Sequence, residues 1–168
     1  MRADLPTDRL LLRPFADRDL DDAVAIFTDA CVKQTYMLPD FADAGQAARL
    51  FRHMQALSRC EDRFVRAICL DDRMIGFIND VAIDGSELEL GYVIHPTHQG
   101  CGYATEALSA AIGCLFAAGY TRVTAGYFAE NAASRRVMEK CGMQPLSRSE
   151  EVLYRGAVHT CHYCAIDR

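Results

Sequence analysis

The spacing of apolar side chains predicts alternating strands and helices along this chain. From Glu87 to Ile94, apolar residues alternate with charged or small ones, which is the period of a half-buried strand. From Ala104 to Phe116, apolar residues recur every three or four positions, which is the period of a helix with one buried face. The two patterns meet at residues 95–102. They predict a strand that leads through a turn directly into a helix.

The same reasoning predicts further elements on both sides of this junction. Helices are expected at residues 17–30, at 44–59, and at 131–142 with Asn131 as the N-cap. Strands are expected at residues 9–13, 64–70, 74–83, 121–128, 150–155 and 158–166, and residues 31–43 are predicted to form a loop. The resulting order, β-α-α-β-β-β-α-β-α-β-β, fits a mixed α/β sheet flanked by helices.

The turn between the central strand and helix contains Gly100 and Gly102. Glycine adopts backbone angles closed to other residues and lets the main chain approach a ligand. The N–H groups of a first helical turn have no acceptor within the helix, so a phosphate can accept from them. A Rossmann turn would need a third glycine where Thr105 stands, and a nucleoside-triphosphate loop would need Gly-Lys-Ser/Thr, which the sequence lacks.

Three segments resemble the motifs of GNAT N-acetyltransferases, in the expected order. TDRLLLR at residues 7–13 is similar to the Thr-x-Arg-Leu-x-Leu-Arg opening of the RimJ/RimL-like branch, the ribosomal-protein N-terminal acetyltransferases and their relatives. QGCGYA at residues 99–104 resembles the acetyl-CoA loop, Gln/Arg-x-x-Gly-x-Gly/Ala. NAASRRVMEKCGM at residues 131–143 resembles Asn-x-x-Ser-x-x-x-x-Glu-Lys-x-Gly-Phe, with Met143 replacing the aromatic residue.

The resemblance implies a fold and a cosubstrate. The implied GNAT fold has a mixed, mostly antiparallel sheet of about six to seven strands, splayed where the cofactor binds, and about four helices. The implied cosubstrate is acetyl-CoA, without a metal. The residues that the family motifs assign to acetyl-CoA binding are Val93, Ile94, Gln99, Gly100, Cys101, Gly102, Tyr103, Ala104, Thr105 and Asn131.

Amide formation from a thioester needs a neutral amine, and a carboxylate in a partly apolar pocket can accept the amine proton. Glu89 is the predicted general base, because it lies on the strand that leads into the loop. Strand alternation places Glu87 on the same face, so Glu87 is the alternative.

The departing thiolate needs a proton. Ser134 matches the serine that RimJ/RimL-like enzymes use as the donor, and Tyr127 is the alternative acid. His95 and His98 are interpreted as loop residues beside the strand end, and Glu106 as a carboxylate that stabilises the helix dipole.

Composition narrows the class of protein. The 168 residues predict one domain, 1–168, and the formal net charge of −5 argues against nucleic acid as the main partner. Signal peptide and bilayer-spanning patterns are both missing, which predicts a cytoplasmic protein without a membrane partner. The eight cysteines are expected to be reduced. Cys161 and Cys164 are three positions apart on a predicted strand and would face opposite sides, so a zinc site is not expected.

The sequence thus predicts an acetyl-CoA-dependent N-acetyltransferase that acts on a primary amine by direct transfer. Homodimers are common in the RimJ/RimL-like branch, so the resemblance also implies a homodimer. The amine could belong to a protein N-terminus or to a small molecule, since residues 31–43 contain no recognisable acceptor code. The alternative is a noncatalytic acyl-CoA-binding sensor that keeps the loop but lacks a working base.

Overall fold

The computed structural model describes residues 3–168. Its strands are Leu5–Pro6 (β1), Leu10–Arg13 (β2), Val65–Leu70 (β3), Arg73–Asp84 (β4), Glu87–Ile94 (β5), Arg122–Phe128 (β6), Gln144–Tyr154 (β7) and Ala157–Asp167 (β8). Its α-helices are Leu20–Thr28 (α1), Ala30–Thr35 (α2), Ala44–Leu57 (α3), Tyr103–Ala117 (α4) and Ala132–Lys140 (α5). None of the helices in these residues is long and apolar enough to cross a bilayer.

The chain forms two compact units. The first comprises the chain to Asn79 together with Tyr92–Ala110, and the second comprises Asp80–Gly91 together with Ala111–Arg168. The first unit therefore contains β1 to β3, most of β4, the end of β5 and the start of α4. The second contains the rest of those shared elements, followed by β6, α5, β7 and β8.

In the first unit, β2 pairs antiparallel with both β1 and β3, and β3 pairs antiparallel with β4. The side chains of α1 and α3 pack with these strands in a core that includes Phe15, Phe27, Phe51 and Phe77. A buried ion pair fixes the start of this unit, because both terminal nitrogens of Arg13 contact the Asp19 carboxylate at 2.7 Å. The second arginine of the TDRLLLR segment therefore has a structural partner.

In the second unit, β5 runs parallel to β6, while β6 and β7 both pair antiparallel with β8. The hydrogen-bonded strand order is β1-β2-β3-β4-β5-β6-β8-β7. The parallel pairing joins Glu87–Leu90 to Arg122–Ala125, and both strands continue past it. The predicted α/β class with a mixed, mostly antiparallel sheet is confirmed.

Several boundaries differ from the sequence prediction, and each difference has a local cause. The helix expected at 17–30 is interrupted, because Asp29 is extended and its side chain accepts from the N–H groups of Cys31 and Val32, which starts α2. The prediction of a loop at residues 31–43 is therefore wrong over residues 31–35, which belong to α2. The two-residue β1 carries no periodic pattern, and β7 begins at Gln144, six residues earlier than expected.

Candidate active site

The predicted acetyl-CoA loop joins β5 to α4 in the first unit. Gly100 and Gly102 have φ angles of +77° and +84°, which side-chain-bearing residues rarely adopt. A Cβ built on Gly100 would meet no atom within 4 Å, so the space beside Gly100 is open. The side chain of Gln99 links the start of the loop to the end of β5, because its Nε2 donates to the carbonyl oxygen of Ile94 at 2.8 Å.

A close approach of two strands precedes the loop. A Cβ at Gly76 on β4 would lie 2.1 Å from the carbonyl oxygen of Val93, so only glycine fits against this part of β5. The N–H of His95 donates to the carbonyl oxygen of Ile75 at 2.8 Å. The side chains of Val93 and Ile94, two of the residues predicted to bind acetyl-CoA, are buried and anchor this part of β5.

The loop also contacts the N-terminal segment of the same unit. Thr7 Oγ1 donates to Glu106 Oε1 at 2.5 Å, and Arg9 binds that carboxylate through its main-chain N–H and its Nε, both at 2.8 Å. Arg9 Nη1 donates to the carbonyl oxygen of Cys101 at 3.0 Å. Glu106 therefore does more than complement the helix dipole, and this role was missed from sequence because its partners lie about a hundred residues earlier.

Glu89 and Glu87 differ in their surroundings. Glu87 is exposed, whereas Glu89 is half-buried in the second unit. Burial raises the pKa of Glu89, with opposing influences from Arg148, which lowers it, and Glu150, which raises it. A raised pKa brings a carboxylate closer to the proton affinity needed of a general base near neutral pH. The environment therefore favours Glu89 over Glu87.

Tyr163 is a neighbour of Glu89 that sequence reasoning missed. Glu89 pairs with Thr124 on β6, and Tyr163 on β8 pairs with Gly126, two residues further along β6. Residues two apart on a strand share a face, so Glu89 and Tyr163 project from the same side of this sheet. A Cβ at Gly126 would lie 3.1 Å from Tyr163 Cε1, which shows that the ring occupies the space left by glycine.

Two charged residues of β7 complete this group, the Glu89 cluster, defined as Glu89, Arg148, Glu150 and Tyr163. Tyr163 Oη donates to Glu150 Oε2 at 3.2 Å, and the Arg148 guanidinium lies 4.2 Å from the centre of the tyrosine ring. Arg148 also forms an ion pair with Glu150. Burial raises the pKa of Tyr163, so its hydroxyl stays protonated at neutral pH.

The two candidate proton donors lie on different elements, Ser134 in α5 and Tyr127 on β6. Asn131 caps α5 through its side-chain oxygen, which accepts from the N–H of Ser134 at 3.1 Å. A hydrogen bond from Asn131 to a cofactor would therefore come from its amide nitrogen. Tyr127 follows Gly126 on β6, and successive residues of a strand face opposite sides of the sheet. Tyr127 therefore projects from the sheet face opposite Glu89, where its ring contacts His162.

The histidines near the loop have local structural contacts. His95 caps the short helical turn Pro96–His98, and its Nδ1 lies 2.8 Å from Thr97 Oγ1. Within residues 3–168, the structure brings together no group of three or more His, Cys, Asp or Glu side chains able to hold a metal ion.

The sequence of this chain matches the profile of the acetyltransferase (GNAT) domain over residues 9–144. The chain belongs to the GNAT acetyltransferase family. It is 32% identical over 157 residues to the uncharacterized N-acetyltransferase YoaA of Bacillus subtilis, a match that covers 90% of this chain and 88% of that protein. The predicted family and its acyltransferase class are thereby confirmed.

Solved structures of GNAT proteins share the fold. A GNAT acetyltransferase from Bacillus anthracis superposes with a TM-score of 0.84 at 23% identity, covering 98% of both chains. RimL, a ribosomal L7/L12 α-N-protein acetyltransferase in complex with coenzyme A, superposes with a TM-score of 0.86 at 16% identity, again covering 98% of both chains. GNAT acetyltransferases use acetyl-CoA, and the RimL structure holds coenzyme A.

Proposed function

We propose that this GNAT protein transfers the acetyl group of acetyl-CoA directly to a primary amine, with Glu89 as general base. One observation carries the proposal: a half-buried carboxylate with a raised pKa lies on the strand that leads into a glycine loop of the family type. A sensor that only binds acyl-CoA would not require such a carboxylate.

The loop is proposed to bind acetyl-CoA. The pyrophosphate would accept hydrogen bonds from main-chain N–H groups of the loop, which consists of Gln99, Gly100, Cys101, Gly102, Tyr103, Ala104 and Thr105. The open space over Gly100 and the positive φ angles of both glycines fit an anion seated against the backbone. Val93 and Ile94 would contribute main-chain groups to the pantetheine arm and the carbonyl oxygen, and Asn131 would donate its amide N–H to the cofactor.

Glu89 and Ser134 carry the proposed proton transfers. Acetyl-CoA provides the acetyl group as an activated thioester. Glu89 removes a proton from the substrate ammonium, directly or through one water, so that the amine nitrogen can form the new C–N bond as the C–S bond breaks. Ser134 donates its Oγ proton to the sulfur that leaves and regains a proton from solvent, and the new amide nitrogen releases its second proton to solvent. Tyr127 is the alternative donor.

The acceptor class is a primary amine, either a protein N-terminus or a small molecule. RimL acts on a ribosomal protein, L7/L12, and a peptide with a free N-terminus is therefore a rational first acceptor to test. An acceptor that is cationic in solution would meet the carboxylates of Glu89 and Glu150.

Release of coenzyme A thiol tests the proposal. The protein is supplied with acetyl-CoA and a panel of amines that includes N-terminal peptides, polyamines, amino acids and aminoglycosides, and the thiol is measured with a chromogenic disulfide. We expect amine-dependent release with at least one acceptor class and its loss in Glu89→Gln. Tight acetyl-CoA binding without release on any amine would favour the acyl-CoA sensor instead.

A further inference from the structure

The contacts of the N-terminal segment with the acetyl-CoA loop have no part in the chemistry above. Thr7, Arg9 and Glu106, here called the N-terminal clamp, join the TDRLLLR segment to the first turns of α4. The Arg9 guanidinium binds Glu106 Oε2 through Nε at 2.8 Å and through Nη2 at 2.7 Å, and Cys101 O through Nη1 at 3.0 Å. One side chain therefore fixes both the loop and the helix that follows it.

The position of Arg9 also brings its positive charge to the loop glycines. A Cβ built on Gly102 would lie 3.4 Å from Arg9 Nη2, and the guanidinium carbon is 4.6 Å from the centre of the Tyr103 ring. The Arg9 side chain remains 46% exposed. A guanidinium has five N–H donors, so a group with this exposure can still donate toward a ligand on the loop.

The charge of Glu106 gives the clamp a second consequence. Burial acts to raise the pKa of Glu106, but hydrogen bonds from Thr7 and from the main chain and side chain of Arg9 outweigh it and lower the pKa. Glu106 is therefore ionised at neutral pH, in the helical turn that follows the loop. A carboxylate there repels a bound pyrophosphate unless a cation offsets it.

We propose that Arg9, which binds the same Glu106 carboxylate as Thr7, is a positioning residue for acetyl-CoA: it keeps the loop in its binding shape and offsets the Glu106 charge that otherwise opposes the pyrophosphate. The inference rests on the proposed binding of acetyl-CoA by the loop. It assigns a cofactor-dependent purpose to the first arginine of the TDRLLLR segment, whereas the second, Arg13, forms the buried ion pair with Asp19.

Calorimetric titration with coenzyme A tests the clamp. Wild type, Arg9→Ala, Arg9→Lys and Arg9→Ala/Glu106→Gln are compared at about 50 mM and about 500 mM NaCl. Arg122→Ala is the matched control, because Arg122 also forms an exposed two-point ion pair, with Asp167 on β8. Melting temperatures show whether each variant is folded.

We expect Arg9→Ala to weaken binding about tenfold at low salt and by less at high salt, because screening reduces the Glu106 repulsion. Adding Glu106→Gln should recover about threefold or more of that loss. Arg9→Lys, which keeps the charge, should lose less than Arg9→Ala, and Arg122→Ala should bind as wild type does.

Two results would overturn the inference. One is an Arg9→Ala affinity within about twofold of wild type at low salt, a change too small for a lost charge-assisted contact. The other is a loss that is equal at both salt concentrations and is not reduced by Glu106→Gln, which would mean that the clamp is only structural. Failure of wild type to bind coenzyme A would instead contradict the proposed function itself.

Discussion

The loop and the Glu89 cluster are built in different ways. The loop consists of seven consecutive residues, 99–105, whose binding groups are main-chain atoms shaped by two glycines. The Glu89 cluster brings together side chains from β5, β7 and β8, which are separated by up to 74 positions. Its properties depend on strand register, because register decides which side chains share a face.

The loop and the Glu89 cluster also differ in their charged groups. The loop presents uncharged N–H groups, with Arg9 and Glu106 paired beside them. In the Glu89 cluster, the half-buried Glu89 carboxylate lies near Arg148 and Glu150, so the charges of these two residues influence the pKa of Glu89. Binding and turnover should therefore be separable by mutation: changes in the loop should act on affinity, and changes in the cluster should act on rate and on pH dependence.

The largest expected effect comes from Glu89→Gln. Loss of a general base lowers the rate by about 10² to 10⁴. Affinity for acetyl-CoA should stay near that of wild type, because the amide has the size of the carboxylate and the loop is unchanged. Steady-state acetylation and titration with acetyl-CoA provide the two measurements.

Glu87→Gln is the matched control for this prediction, since Glu87 is two residues away on the same strand but exposed. It should keep most of the wild-type activity. A loss confined to Glu87→Gln would reassign the base to that residue.

Gly102→Asp should lower the affinity for acetyl-CoA, which Glu89→Gln should leave unchanged. A side chain at a φ of +84° is strained, and its carboxylate would repel the pyrophosphate, so affinity for acetyl-CoA should fall by about a hundredfold or more. The measurement is the rise in melting temperature with acetyl-CoA, which a ligand of the native state produces by mass action. NADH should give no shift in wild type. A variant that keeps the full acetyl-CoA shift would remove the loop from the proposed site.

Ser134→Ala should give a smaller loss, about tenfold or more in kcat, because the sulfur then leaves without a positioned donor. Ser134 lies in the first turn of α5, so the melting temperature and the acetyl-CoA affinity are measured to exclude a frayed helix. Tyr127→Phe is the comparison. If only Tyr127→Phe lowers kcat, the tyrosine is the donor and Ser134 has a structural role.

The smallest expected effect is a shift in the pH dependence of activity caused by changes to Arg148 and Glu150 on β7. Arg148 lowers the pKa of Glu89 and Glu150 raises it. Arg148→Gln should therefore move the acidic limb of the kcat/KM profile to higher pH, and Glu150→Gln should move it to lower pH. Shifts of both variants in the same direction would show that the ion pair acts on folding or acceptor binding and leaves Glu89 unaffected.

The loop was predictable from sequence because its information is local. Periodicity placed β5 and α4, and the spacing of Gly100 and Gly102 identified the turn between them. The break at Asp29 is also local, since an Asp that caps a helix is recognisable in principle. It was missed because the apolar pattern continues across it.

The partners of Glu89 and Glu106 could not be predicted in the same way. Tyr163 reaches the Glu89 face because β8 pairs with β6 in a particular register and because Gly126 leaves room for its ring. Arg9 meets Glu106 through the packing of a segment 97 positions away. Neither contact leaves a periodic or motif signal in a single sequence, so side-chain environments that depend on long-range pairing required the structure.

The most direct test of the central claim is the pH dependence of kcat/KM for wild type and Glu89→Gln with one responsive amine. The account predicts that wild-type activity rises with pH through an acidic limb whose apparent pKa lies above the ordinary glutamate value of 4.5, because the base must be deprotonated. Glu89→Gln should lack that limb at every pH. An identical limb in the variant would contradict the assignment of Glu89 as the general base.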